Sequence, residues 1–196
     1  MSEFIDRFIP KSNADVIERH ETTVRAPAAV VLEAAESFDL ESIPIVRAIF
    51  WLRAKLLGAS YARMRKGLIE ETTRMGWERL AYAPGREIVM GTVTRPWIGE
   101  VKFRRIMPDS FAEFKEPDMV KIVWTLEAEL VGPELTRLAT ETRVLATDES
   151  ARAKFKAYWR KFGIGILMIR WLAVPAMKRE AERRHKAQRI ECSLTR

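Results

Sequence analysis

The sequence predicts an α+β fold in which a curved antiparallel sheet wraps around a long C-terminal helix, with two short helices after the first strand. Three observations carry this expectation. Two alternating segments, 121–130 and 136–147, flank Gly132-Pro133 and read as a hairpin. An alternating run at 16–25 ends at Ala26-Pro27, where proline suits the first turn of a helix. After Asp148, apolar residues recur at spacings of three and four through Phe155, Trp159, Phe162, Ile166 and Ile169.

The elements follow in order. The first strand places Glu18, His20, Thr22 and Val24 on one face. A short helix then carries an apolar stripe of Val30, Val31 and Ala34. A second helix is expected from about Asp39, its N-cap, to Leu57, with Gly58 as the C′ residue; Pro44 fits only in the first turn, which moves the alternative start to Glu41 or Ser42. It is apolar nearly all round, which predicts burial; the alternative is a pocket lid or partner-facing surface. Strands are expected over 67–106, including a hairpin that turns at Ala83-Pro84-Gly85. Pro108 to Phe111 opens one helical turn, with Ser110 and Glu113 at capping-box spacing. In the 120–147 hairpin, Ile122, Trp124, Leu126, Ala128 and Leu130 share a face, as do Leu138, Thr140, Thr142 and Val144. Gly163, Gly165 and Pro175 invite a kink in the terminal helix.

Composition narrows the class. With 196 residues, 47% hydrophobic and 31% charged, the chain suits a single globular domain, 1–196, rather than a disordered or multi-span one. Cys192 is the only cysteine, which leaves no internal disulfide, and the first twelve residues carry Glu3 and Asp6 and do not read as a secretory signal. A cytoplasmic location is expected. The run FGIGILMIRWLAVPAM (162–177) is interrupted by Arg170, so it reads as a buried helix rather than a span. From Ser150 onward there are 13 Lys/Arg against 3 Asp/Glu, a net of +10, while the remainder sums to −3. That asymmetry suits either a solvated outer face or an anionic partner.

The wording of several segments resembles the START-like SRPBCC superfamily, whose fold is the helix grip. VIERHETTVRAPAAVVLEA (16–34) is similar to its opening strand and helix start, TRLATETRV (136–144) to its last strand, and FKAYWRKFGIGILMIRWL (155–172) to the terminal helix of uncharacterised bacterial members. The resemblance covers about 14–185. It implies a cavity for an apolar molecule, lipid or polyketide-like, between sheet and helix; members include carriers, receptors, cyclases and oxygenase subunits, so function stays open. No catalytic motif carries over.

The residues give little chemistry directly. His20 and His185 are the only histidines and are far apart, so no metal site and no cofactor are expected. Gly163-Ile164-Gly165 lies in a helical stripe and is not a dinucleotide fingerprint. His20 is the candidate acid–base residue, with a hydrogen-bonded structural role as the alternative; His185 is expected to be solvated. Glu141 and Arg143 read as an outward salt bridge or, alternatively, as a fork for a ligand carboxylate. The expected ligand-lining set is His20, Thr22, Trp97, Trp124, Thr140, Thr142, Trp159 and Ile166, which would equally serve as plain core. The leading expectation is a binding module for a small hydrophobic molecule. A cyclase or dehydratase using His20, and docking of the basic C-terminal helix to an anionic membrane or acidic partner, are the alternatives. Nucleic acid is disfavoured, because the basic tail 178–189 has no aromatic residues. Oligomeric state is left open.

Overall fold

A computed structural model describes Ser2 and residues 4–61 and 67–194. Its centre is a five-stranded antiparallel sheet in the order β1-β5-β4-β3-β2, from β1 (Val16–Val24), β2 (Glu78–Ala83), β3 (Glu87–Thr94), β4 (Val120–Gly132) and β5 (Leu135–Ala146). The helices are α1 (Phe4–Phe8), α2 (Ala28–Glu36), α3 (Pro44–Leu56), α4 (Leu68–Met75), α5 (Pro108–Phe111) and the 46-residue α6 (Glu149–Leu194). This is the helix-grip arrangement that the sequence predicts. The last strand of the chain pairs with the first, and α6 then crosses back over the sheet.

Period-two alternation gives the sheet two buried faces of different character. On the α6 side, Val24, Ile88, Met90, Leu126, Ala128 and Leu138 meet Val31, Ala35, Ala173, Met177 and Ala181. On the other side, Leu80, Val89, Val93 and Val123 are covered by Ile5, Phe8 and Ile9 from the N-terminus and by Phe111 of α5. Asp148 caps α6 as expected, its carboxylate accepting from the backbone N–H of Ala151 at 2.7 Å. The helix continues through Pro175.

Four local expectations are corrected. Asp39 caps a separate 3₁₀ turn (Leu40–Ser42), and α3 starts afresh at Pro44, because proline has no N–H to continue a ladder. Helix α3 is not sealed all round: it buries Val46 and Ala54, while Ile45, Trp51, Leu52 and Leu56 are each about half exposed (49–52%). Residues 68–75 form α4 rather than a strand, closed by Gly76 in the left-handed region (φ 106°). Residues 101–106 form no strand; Arg104 makes an isolated bridge to Val93, and Met107 rather than Ser110 precedes α5.

Candidate functional site

The register aligns one rung across the α6-facing side of the sheet: Glu18 opposite Thr142, Thr142 opposite Trp124, and Trp124 opposite Met90. The next rung pairs His20 with Thr140, and Thr22 faces Leu138 beyond it. His20, Thr22, Trp124, Thr140 and Thr142 therefore share one face. Trp97, Trp159 and Ile166 gather elsewhere, around Phe155, Tyr158 and Val144 near the start of α6, with half-buried Ile122 packed against both groups.

Burial along that face is uneven. Val120 and Leu126 of β4 are closed off, whereas Ile122 and Trp124 between them stay half-buried; so do Glu18, His20, Thr22 and Thr140 on the adjoining strands. On the opposite face, Val123, Thr125 and Glu127 of the same stretch are all buried. Partial exposure therefore persists in the middle of the α6 side of the sheet around buried Thr142, and Leu130 at the far end of β4 on the same face is exposed as well. Two open concavities lie away from this band, about 440 Å³ between Arg25, Glu182 and the last turns of α6, and about 420 Å³ beside Thr23 and Leu135.

Into this middle comes Arg170 of α6, which occupies the inner stripe four residues after Ile166. Its guanidinium donates from Nη1 to the Glu18 carbonyl oxygen at 3.2 Å and from Nη2 to the Thr142 hydroxyl. Burial outweighs the nearby Glu18 charge and draws the pKa of Arg170 down to about 10, which still leaves it cationic at neutral pH. His20 is perturbed in the same direction. Desolvation, then the Arg170 charge, hold its pKa below the usual histidine value, against a smaller opposing pull from Glu18. Its Nε2 is buried without a hydrogen-bond partner, and the ring packs edge-on to Trp171 with centroids 6.4 Å apart. A neutral imidazole beside a cation can donate or accept one hydrogen bond. It is poorly suited to carry a second positive charge.

The other singled-out residues separate from this group. Glu141 and Arg143 face the opposite side, and there they are buried rather than outward. Arg143 is 1% exposed and Glu141 3%. Beyond each other, Glu141 pairs with Arg19 and Arg143 with Asp6 of α1, while Glu127 joins the group through Arg19. His185 is not solvated either; its side chain is largely buried 3.7 Å from the Glu134 carboxylate. Among the described residues, no cluster of His, Cys or carboxylates is placed to hold a metal ion. Likewise no described helix is long and apolar enough to cross a membrane.

No family model and no curated protein matches the chain. Among solved structures, it is similar to the Zhui aromatase/cyclase from a Streptomyces species, at 17% identity over 86% of this chain and 94% of that one, with a TM-score of 0.29. A second is Ara h 8.0201, at 15% identity over 82% of this chain and 98% of that one, with a TM-score of 0.24. Likeness at this level identifies neither a ligand nor a reaction. The assignment of the fold rests on the chain's own topology, an antiparallel sheet with its first and last strands paired beneath one long helix.

Proposed function

We propose that this chain binds a small hydrophobic molecule, lipid-like or polyketide-like, in a cleft between the α6 side of the sheet and α6 itself. The observation that supports it is the half-buried band of Ile122, Trp124 and Thr140, which lies between buried Val120 and Leu126 of β4 and beside buried Leu138 of β5. Central strands ordinarily pack tightly, and aromatic walls with a few polar groups suit a small-molecule site. The proposal treats residues 1–196 as one START-like domain of an uncharacterised bacterial branch, acting in the cytoplasm. His20, Thr22, Trp124, Thr140 and Thr142 would line the cleft, and Trp97, Trp159 and Ile166 its far wall. A neutral fluorophore, phenylnaphthylamine, tests it. Wild-type protein should enhance its emission, and Thr140→Phe, which adds a ring to the cleft, should weaken binding about tenfold or more at an unchanged melting temperature. Equal binding by both proteins, or none by the wild type, would contradict it.

A second reading concerns the outer surface, and the exposed apolar stripes of α3 and α6 favour it. Alongside the α3 stripe, α6 turns out Ile164 (74% exposed), Met168 and Trp171 (66%). The two helices pack together where Gly165 approaches Ile49. Lys55 sits 5.0 Å over the Trp51 ring, and Lys161 5.2 Å over Phe162. Apolar residues flanked by cations suit the surface of an anionic bilayer, and α6 carries 12 Lys/Arg against 4 Asp/Glu, a net of +8. Sedimentation with vesicles should show binding to phosphatidylserine-containing vesicles, weaker binding at high salt, and a loss in Trp51→Glu. Equal partition onto purely zwitterionic vesicles would contradict a charge-driven dock.

A further inference from the structure

Two arginines enter the sheet from opposite sides, Arg143 fully buried and Arg170 half-buried. Arg143 is enclosed with Glu141 and Asp6 as partners. Arg170 enters the opposite side of the sheet, and among the described residues no carboxylate forms an ion pair with it. Its two hydrogen bonds go to neutral oxygens, whereas a guanidinium has five N–H donors. Withdrawing part of a guanidinium from water weakens its hydration, and an opposite charge offsets that cost. Beside it lie a second unsatisfied polar atom, Nε2 of His20, and the Thr142 hydroxyl on the adjacent rung. The apolar band of Trp124 and Ile122 begins one strand away.

We propose that Arg170, with Thr142 and His20 at its side, receives the carboxylate head of an amphipathic ligand whose apolar body lies along Trp124 and Ile122. This rests on the cleft reading and names the ligand's chemical class. A planar guanidinium matches a carboxylate through two parallel N–H donors. The charge count favours a monoanion. One guanidinium faces the cleft, His20 is neutral, and the Glu18 carboxylate on the same strand opposes further negative charge. A phosphate monoester, carrying roughly −1.5 to −2, would leave charge uncompensated.

The test compares oleic acid, oleyl alcohol and oleyl phosphate as competitors against phenylnaphthylamine at pH 8. Wild-type protein should prefer the acid to the alcohol by about tenfold or more, with the phosphate no better than the acid. Arg170→Met should abolish that preference while leaving the alcohol's affinity in place, and Arg170→Lys should keep part of it. Equal binding of acid and alcohol by the wild type overturns the proposal and leaves the cleft standing. Binding of none of the three, together with no fluorophore response, overturns both. A phosphate preference overturns the carboxylate assignment. If Arg170→Met fails to fold, the wild-type acid-to-alcohol ratio and the Thr142→Val variant, expected to narrow it, decide.

Discussion

Arg143→Met is expected to lower the unfolding free energy by about 3–5 kcal/mol, the range for breaking a buried ion pair from one side. The guanidinium is enclosed on the side of the sheet away from α6. Nε donates to Glu141 at 2.7 Å, and Nη1 donates to the Ile9 carbonyl oxygen at 2.7 Å and to Asp6. Glu141 is buried, and its other oxygen lies 3.1 Å from Arg19, which also reaches Glu127 at 3.1 Å. Thr125 completes the group, donating to Glu127 at 3.1 Å and accepting the Glu141 backbone N–H at 3.2 Å. Methionine approximates the arginine stem but leaves Glu141 short of a partner in low dielectric. The double variant Glu141→Gln/Arg143→Met should recover part of the loss, since it removes the stranded charge as well. Urea denaturation of the singles and the double checks this; a single-variant loss below about 1 kcal/mol would mean that the pair is hydrated.

Phe8→Ala should cost a similar amount, about 3–5 kcal/mol. Phe8 is 4% exposed and meets Phe111 edge-to-face, with ring centroids 6.0 Å apart at 88°. It sits between Ile5 and Ile9, both fully buried, so α1 closes the second face of the sheet and also contributes Asp6 to the Arg143 network. A helix of five residues cannot hold itself together in water, so α1 persists through this packing and its bonds to Arg143. Truncating its largest anchor should therefore loosen the whole segment. Thermal unfolding should shift clearly downward, while binding of the fluorophore to protein that is still folded should not change, because α1 lies on the face opposite the cleft. Weakened probe binding in folded Phe8→Ala would contradict this separation of the faces.

Most of the sheet was legible because its signals are local. Alternation in β1, β4 and β5 and the breaks at Ala26-Pro27 and Gly132-Pro133 set both strands and faces, and Asp148 marked the start of α6. What escaped depended on contacts distant in sequence. Phe4, Ile5, Phe8 and Ile9 have helical spacing, but six residues give too short a window to announce a face-covering helix. In α4, LIEETTRM mixes β-branched residues into a helix whose glycine boundaries were the readable signal. Helix α3 is apolar on all sides, and sequence does not say whether anything covers the outer stripe. The polar centre of the site was missed for another reason. In the sequence Arg170 interrupts an apolar run, yet it continues the spacing of Phe155, Trp159, Phe162 and Ile166. A lone cation on the inner stripe of a core helix was itself the clue.

The claim on which the account depends is that the middle of the α6 side of the sheet holds a guest. Intact mass under native conditions, on protein purified from its own host without detergent, measures this most directly. The account predicts a species heavier than the chain by one small molecule, released on denaturation and carrying an acidic group. A chain that flies at its own mass alone, and still does so after incubation with oleic acid, would contradict it.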